Sequence, residues 1–280
     1  MATRLRTIDL PSGASIPVLC QGTAHAGRDE ARWDDEVAAL QLGLDLGATS
    51  IDTSEAYGAG KAEELVGDAI AGRREEVFLV SHVQPSHFGQ RTMAVACEQS
   101  LHRLGTDFID LYLLHSRGFE LLDETLEALA DLVRLEKIGA WGVSHFGLHD
   151  LIELVQVGEG VHVQVDQLPY SLARRGIESG LLAWCRSRGI PVMACSPLEQ
   201  GRLLGHDDLR SVADRNRATP AQVALAWVLG HEGVVAVSAS SSLEHVRENV
   251  GAVDLRLTEE DLSDLDDLFA PPATAQLEPR

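Results

Sequence analysis

Apolar residues recur along the chain with two alternating spacings. Short runs such as residues 18–22 and 108–114 are largely apolar, which is typical of strands buried on both faces. Each run is followed by a longer segment in which apolar residues return every three or four positions, as at Val37, Leu40 and Leu44. That spacing is the period of a helix with one buried face. The pattern therefore predicts strands and helices in alternation.

Eight such pairs follow one another. The predicted strands span residues 18–22, 48–52, 77–81, 108–114, 138–143, 161–167, 190–194 and 234–237. The predicted helices span about residues 33–46, 62–70, 90–104, 122–136, 148–156, 177–188, 220–229 and 243–250. Strict alternation implies a parallel sheet, and eight strands close a barrel, so the sequence predicts an α/β fold of the (β/α)₈ (TIM barrel) type. An open doubly wound sheet would normally carry a glycine-rich fingerprint after the first strand, and Gly22-Thr23-Ala24-His25 is not one.

The remaining segments extend this prediction. Residues 4–18 read as a β-hairpin placed before the barrel. Thr258 is a good N-cap for a final helix, and the tail from about residue 270 is expected to be mobile. The connection from Pro197 to about Asp214 is the longest one, and long barrel loops are often lids. No linker divides the chain, so residues 1–280 are predicted to form a single domain.

Charge and cysteine content exclude several classes of partner and location. Acidic residues number 43 against 23 basic ones, which gives a net charge of -20. Phosphate backbones and anionic lipids repel such a chain, so no nucleic acid and no membrane surface is expected as a partner. The four cysteines form no C-x-x-C pair and read as free thiols of a reducing compartment. No secretory signal or apolar run of roughly 18 residues is visible, so a cytoplasmic location is predicted.

Polar and ionisable residues follow almost every predicted strand, at the end where barrel enzymes carry their catalytic groups. The set comprises His25, Asp52, Tyr57, His82, His115, Ser144, His145, Asp166, Gln167, Tyr170, Cys195, Ser196 and Ser238–Ser242. A lone histidine at a strand end is more often a hydrogen-bonded structural group, and a lone aspartate often holds a loop. Four of the eleven histidines on one face nevertheless favour a catalytic site.

Six motifs, spread over nearly the whole chain, resemble those of the aldo-keto reductase family. They are GATSIDTSEAYG at 47–58, LGTDFIDLYLLH at 104–115, IGAWGVS at 138–144, VDQLPYS at 165–171, SPL at 196–198 and SLEHVREN at 242–249. The leading hairpin is similar to the barrel plug of these proteins. The resemblance implies a (β/α)₈ oxidoreductase that uses NADP or NAD to reduce a small carbonyl compound.

The resemblance also implies roles for individual residues. Tyr57 corresponds to the proton donor, Asp52 to the aspartate that assists it, and His115 to the histidine that orients the carbonyl. The positions implied to contact the cofactor are Ser144, His145, Gln167, Cys195, Ser196, Leu198, Ser240, Glu248 and Asn249.

The main departure from the family pattern is His82, which occupies the position of the catalytic lysine. A tyrosine with a pKa of about 10 is a poor acid near neutrality without a neighbouring positive charge. Histidine supplies that charge only when protonated, a form that a close carboxylate favours and burial opposes. The sequence therefore predicts an atypical catalytic group of Asp52, Tyr57, His82 and His115.

Further departures concern the expected cofactor contacts. Where the family usually has an asparagine after the fifth strand, this chain has His145. Where the family usually has an aromatic residue that stacks on the nicotinamide, this chain has Cys195. The basic residue that often faces the 2′-phosphate of NADP is missing from the run Ser238–Ser242, and only Arg247 or Arg202 is identified as a substitute. The resemblance slightly favours NADP, and loss of the basic residue predicts weaker discrimination against NAD.

Three functions remain open from sequence. The first is an NAD(P)-dependent oxidoreductase of a small carbonyl or alcohol substrate. The second is a cofactor-independent or metal-dependent lyase, isomerase or dehydratase in which Tyr57, His82 and His115 perform acid–base chemistry. The third is a binding protein without catalysis. No metal site is predicted, because no spacing of the ligand-type residues indicates one. A monomer or weak homo-oligomer is expected.

Overall fold

The computed structural model describes residues 5–118 and 122–270. Its strands are β1 (Thr7–Asp9), β2 (Ser15–Pro17), β3 (Leu19–Gly22), β4 (Ser50–Asp52), β5 (Phe78–Val83), β6 (Ile109–Leu114), β7 (Ile138–Ser144), β8 (Asp166–Pro169), β9 (Val192–Cys195) and β10 (Val234–Ser238). Strands β1 and β2 pair antiparallel as the predicted hairpin. The other eight form a closed barrel in the order β10-β3-β4-β5-β6-β7-β8-β9, with every neighbouring pair parallel. The predicted barrel fold is confirmed.

Helices separate the barrel strands along the chain. They are α1 (Trp33–Asp45), α2 (Lys61–Ile70), α3 (Gln90–Leu104), α4 (Leu122–Arg134), α5 (Leu148–Leu154), α6 (Leu181–Ser187), α7 (Asp207–Arg215), α8 (Pro220–Leu229), α9 (Leu243–Gly251) and α10 (Glu259–Leu268). Their apolar faces pack on the outside of the barrel and build the larger of two buried clusters. Within the described ranges, no helix is long and apolar enough to cross a membrane.

The barrel interior and the hairpin share a second, smaller cluster. Val80, Leu111 and Met193 belong to this interior cluster, and Leu10 and Ile16 of the hairpin join it. Because the hairpin leads directly into β3, it covers the amino-terminal end of the barrel. The predicted plug is therefore present, and the carboxyl ends of the strands are left to form a site.

Capping residues explain where several helices begin. The Thr219 hydroxyl accepts a hydrogen bond from the backbone N–H of Gln222, and the side-chain oxygen of Gln222 accepts one from the backbone N–H of Thr219. Pro220 occupies the first turn of α8. Thr258 and Asp261 form the same reciprocal cap at α10, as the predicted N-cap required. The predicted bounds of α8, and also those of α3, agree with the structure.

Three predicted segments differ from the structure. Residues 161–165 precede the sixth barrel strand, which begins at Asp166, and Val161 lies exposed in a 3₁₀ helix, Gly158–His162. The helix predicted over 177–188 is broken at Gly180, whose φ of 142° is unfavourable for other residues. The long connection predicted over 197–214 contains a 3₁₀ helix and α7, because Leu209, Val212 and Ala213 bury one helical face. Residues 271–280, the expected mobile tail, lie outside the described residues.

Candidate active site

A buried aspartate–histidine pair lies at the carboxyl ends of adjacent strands. Asp52 ends β4 and His82 lies near the end of β5, with exposed fractions of 2% and 1%. Oδ1 of Asp52 lies 2.8 Å from Nε2 of His82 and accepts a second hydrogen bond from Nε2 of Gln167 at 3.0 Å. Gln167 comes from β8, on the opposite side of the barrel, so the Asp52 carboxylate joins both walls of the site.

Two further rings converge on this pair. The His115 ring, just after β6, lies 5.3 Å from the His82 ring and 6.0 Å from the Tyr57 ring, edge-on to both. The Tyr57 and His82 ring centres are 6.5 Å apart. Gly58 directly after Tyr57 has a φ of 59°, so the chain turns sharply there. The structure thus brings together all four residues predicted to be catalytic, and their roles stay a prediction.

Burial sets the charge of the two outer rings. It raises the pKa of Tyr57 above its ordinary value, and Asp52 and Cys195 raise it further. Burial also lowers the pKa of His115 to about 4, with the positive charges of His82 and His145 acting in the same direction and Asp52 opposing them. At neutral pH the site therefore presents a protonated phenol and a neutral imidazole.

The second ring nitrogen of His82 is unusual. Nε2 faces Asp52, and because a carboxylate only accepts hydrogen bonds, Nε2 carries a proton. Nδ1 is buried, and no group among the described residues hydrogen-bonds to it. A buried polar atom left unpaired costs about 1–3 kcal/mol. Nδ1 of His82 is thus able to hydrogen-bond to a reacting group.

Ser54, which sequence reasoning missed, connects the two histidines. Its fully buried hydroxyl lies 3.3 Å from Nδ1 of His115 and 3.3 Å from the backbone carbonyl oxygen of His82. Its oxygen accepts a hydrogen bond from the backbone of Ala56 at 3.1 Å. If Ser54 donates to Nδ1 of His115, the proton of that ring is on Nε2. Its place in the signature, two residues after Asp52, is the only sequence signal for it.

The residues predicted to hold the nicotinamide amide also come together. The Ser144 hydroxyl lies 2.9 Å from Nδ1 of His145 and donates to the backbone carbonyl of Gln167 at 3.1 Å. The backbone N–H of His145 donates to the same carbonyl at 2.8 Å. Burial and the neighbouring His82 lower the pKa of the His145 ring, and a hydrogen bond to the backbone of His115 opposes them. His145 therefore lies beside His82 and His115, and these three residues form a histidine cluster.

The other predicted cofactor contacts follow the next two strands. Cys195 ends β9, and burial raises the pKa of its thiol to about 12, so it is a protonated and unreactive group. Ser196 has a φ of 52°, and Leu198 lies in the same turn. Ser240 hydrogen-bonds within its own loop, with the backbone of Ser242.

Two of the predicted contacts lie on α9. The amide nitrogen of Asn249 donates to the hydroxyl of Ser238 at 3.2 Å, and the backbone carbonyl of Glu248 accepts from Gln222 at 3.2 Å. Strands β7, β8, β9 and β10 are consecutive in the barrel, so the predicted cofactor contacts follow one another along its rim. His25, by contrast, is exposed. Among the described residues it makes no hydrogen bond or ring contact with the histidine cluster.

A metal centre finds no support in this site. Among residues 5–118 and 122–270, no group of three or more His, Cys, Asp or Glu side chains is arranged to hold a metal ion. The His82 and His115 rings instead face each other and Tyr57, His82 also contacts Asp52, and the His115 and His145 rings contact the hydroxyls of Ser54 and Ser144.

Comparisons with known proteins agree with this geometry. The family model described as the aldo/keto reductase family matches residues 18–270. The methylglyoxal reductase of Escherichia coli (strain K12) is 42% identical over 95% of this chain and 96% of its own length. The glyoxal reductase of Bacillus subtilis (strain 168) is 35% identical over 96% and 95%. A Klebsiella pneumoniae aldo/keto reductase, crystallised with NADP and acetate, superposes with a TM-score of 0.95 at 45% identity, covering 97% of this chain and 98% of that one. This chain therefore belongs to the aldo/keto reductase family.

Proposed function

We propose that this protein is an NADP(H)-dependent reductase of small aldehydes and ketones. The observation that carries the proposal is the convergence of the Tyr57 and His115 rings on the buried Asp52–His82 pair. Two relatives are named for the reduction of methylglyoxal and glyoxal, and the Klebsiella pneumoniae relative was crystallised with NADP. Compounds with an aldehyde next to a second carbonyl group are accordingly the first substrates to test.

The rim of the barrel fits a dinucleotide cofactor. Such a cofactor is an extended polyanion with a neutral amide at one end. Its site requires hydroxyl, amide and cationic groups in a row. Carboxylates must lie away from it or be paired with a cation. Ser144 and Gln167 supply a hydroxyl and an amide at one end, and Ser240 and Asn249 supply the same types at the other. Glu199, a carboxylate on the intervening loop, is buried and paired with Arg174. When bound, the reduced nicotinamide supplies the hydride that the carbonyl carbon accepts.

Tyr57 is the group that protonates the carbonyl oxygen. Its raised pKa keeps it a protonated phenol at neutral pH, and it needs a neighbouring positive charge to lose that proton readily. We assign this charge to His82, whose Nε2 lies 2.8 Å from Oδ1 of Asp52. The doubly protonated His82 ring, with its second proton on the unpaired Nδ1, gives that proton to the phenolate as Tyr57 gives its own to the substrate, and a neutral ring remains. Asp52 and His82 thereby replace the aspartate–lysine pair of the family.

His115 orients the substrate. With a pKa of about 4 it is neutral at physiological pH, so it offers one N–H donor. When Ser54 donates to Nδ1, the proton on Nε2 is available to hydrogen-bond to the carbonyl oxygen. A neutral donor holds the oxygen without competing with Tyr57 as a proton source.

The non-redox alternative is not favoured. A cofactor-independent lyase or isomerase would use the same four residues, but the relatives that cover nearly the whole chain are named as reductases. The metal-dependent variant lacks a ligand group among the described residues.

The proposal is tested with purified protein, NADPH and methylglyoxal. We expect saturable NADPH binding and consumption of NADPH that depends on the carbonyl substrate. Tyr57→Phe keeps the ring and removes the proton donor, so it should lower kcat by about 10²–10⁴-fold while cofactor binding persists. Absence of cofactor binding at millimolar NADPH and NADH, or full turnover in Tyr57→Phe, would reject the proposal.

A further inference from the structure

The loop after the last barrel strand lacks a fixed positive charge of its own. It runs through Ser238-Ala239-Ser240-Ser241-Ser242 between β10 and α9 and contains no lysine or arginine. Three of its hydroxyls follow one another directly before the amino-terminal end of α9, with Ser242 as the N-cap. Hydroxyls at a helix start suit an anion, but a dianionic phosphate also requires a cation in a chain whose net charge is -20.

Barrel closure brings a cation to this loop from the other end of the sequence. Arg32 ends the 3₁₀ helix Glu30–Arg32 that follows β3, and β3 is the barrel neighbour of β10. Its guanidinium donates a hydrogen bond to the hydroxyl of Ser241 at 2.5 Å, across a separation of 209 residues. Arg32 thus lies against the serine run although no local sequence pattern connects the two.

The positive charge of Arg32 is not cancelled by this contact. Ser241 is a neutral partner, and two carboxylates close to Arg32 in sequence serve other groups. Asp29 caps its own 3₁₀ helix, and Glu36 accepts from the backbone of Gly27. No ion pair between Arg32 and a carboxylate occurs in residues 5–118 and 122–270. A guanidinium held at a neutral hydroxyl can therefore turn its remaining N–H groups to a phosphate.

The two arginines considered from sequence are less suited to this role. The guanidinium of Arg202 lies 3.4 Å from the buried carboxylate of Glu199, an acidic partner that it shares with Arg174. Arg247 is exposed on α9 and, within residues 5–118 and 122–270, makes no hydrogen bond to the serine run. Arg32 is the arginine that touches the run.

We infer that Arg32 is the residue that selects NADP(H) over NAD(H), by binding the 2′-phosphate together with the hydroxyls of Ser240 and Ser241. This inference rests on the proposed function. A residue from the first barrel loop thus replaces the basic residue that the family often places after the eighth strand. The positive charge also explains how an acidic protein accepts the more highly charged of the two cofactors.

The test is equilibrium titration of the wild-type protein and four variants with NADPH and, separately, with NADH. Arg32→Ala should raise the Kd for NADPH by about tenfold to a hundredfold, the usual range for losing hydrogen bonds to a charged group. The Kd for NADH should change less than twofold, which also shows that the variant is folded. Arg32→Lys should fall between wild type and Arg32→Ala, because lysine keeps the charge but not the planar fork. Arg247→Ala tests the competing position, and Arg28→Ala, in the same loop as Arg32, is the control.

The outcomes separate this inference from the proposed function. Wild-type protein that binds neither cofactor would overturn both. Wild-type protein that prefers NADPH while Arg32→Ala binds it unchanged would overturn the inference alone. Loss of NADPH binding in Arg247→Ala or Arg28→Ala instead of Arg32→Ala would likewise overturn it. A selective loss in Arg32→Ala, with Arg247→Ala and Arg28→Ala near wild type, supports it.

Discussion

Asp52 and Asp166 are two aspartates buried at strands of the same barrel, with exposed fractions of 2% and 0%, yet their surroundings differ. Asp52 accepts hydrogen bonds from His82 and Gln167 on one oxygen. Asp166 receives one long hydrogen bond of 3.5 Å from the backbone of Phe146, and its Oδ2 has no partner among the described residues. Burial raises the pKa of Asp166 well above its usual value, which favours the neutral form of this carboxyl.

The difference shows that burial alone does not make a carboxylate functional. Asp52 meets donors from two walls of the barrel, and one of them is a ring that can carry positive charge. Asp166 makes no ion pair with a described side chain, and its Oδ2 is an unsatisfied polar atom among the described residues. We therefore expect substitutions of Asp52 to lower the rate of catalysis and substitutions of Asp166 to change the free energy of unfolding.

The largest expected effect is that of Asp52→Asn. The amide keeps the shape but removes the negative charge that faces Nε2 of His82, so kcat/KM should fall by about 10²–10⁴-fold. Steady-state reduction of methylglyoxal by NADPH measures it. Asp166→Asn is the matched control and should stay within twofold of wild type; equal losses in both variants would remove the distinction.

Two substitutions of His82 distinguish whether catalysis requires a positive charge or an imidazole ring at this position. His82→Gln keeps a hydrogen-bonding side chain without positive charge, and should lower kcat/KM by about 10²-fold, the lower end of acid–base contributions. His82→Lys should retain wild-type activity or exceed it, because lysine restores a permanent charge beside Asp52. The same assay over a range of pH checks both variants. A folded but inactive lysine variant would show that a titrating imidazole is required.

Asp166→Asn should stabilise the protein. Because the folded pKa is raised, the folded state keeps a proton that the unfolded state releases above about pH 4, so stability is lost as the pH rises. An amide does not titrate, so the free energy of unfolding of the variant should gain on that of the wild type between pH 5 and pH 8, by about 1.4 kcal/mol for each unit by which the pKa is raised. Denaturant unfolding at pH 5 and pH 8 measures it. A gain that does not grow with pH would contradict an acid that is protonated in the fold.

The smallest expected effect is that of Ser54→Ala. Loss of the hydroxyl that contacts Nδ1 of His115 should lower kcat/KM by about threefold to tenfold, as for one hydrogen bond. Thr53→Val is the neighbouring control, because the Thr53 hydroxyl is buried and has no hydrogen-bond partner among the described residues. If both variants lose activity equally, disturbance of the loop, and not the orientation of His115, explains the loss.

The sequence predicted the barrel well because its evidence is local. Periodicity and caps place α3 and α8 within the chain, and eight repeats determine closure. It was wrong over residues 161–165, where exposed Val161 made a 3₁₀ helix resemble a strand. The single domain spanning residues 1–280 and the cytoplasmic location stay predictions.

The candidate site was predictable only where motifs mark it. Asp52, Tyr57, His82 and His115 come from strands β4, β5 and β6 and the loops after them, and the rule that catalytic groups follow barrel strands brings them to one face. Ser54 and Arg32 were missed, because their importance depends on side-chain contacts. The Arg32–Ser241 contact exists only because the barrel closes between β3 and β10.

The most direct test of the account is the transfer of deuterium to the product from NADPH that is deuterated on one face of C4 of the nicotinamide ring. Each face is labelled in turn, and the alcohol formed from methylglyoxal is analysed by mass spectrometry. We predict that label from one face appears at the former carbonyl carbon in wild-type protein and that Tyr57→Phe forms little labelled product in the same time. Product without label from either face, or no product while NADPH is bound, would contradict the assignment of this protein as a reductase.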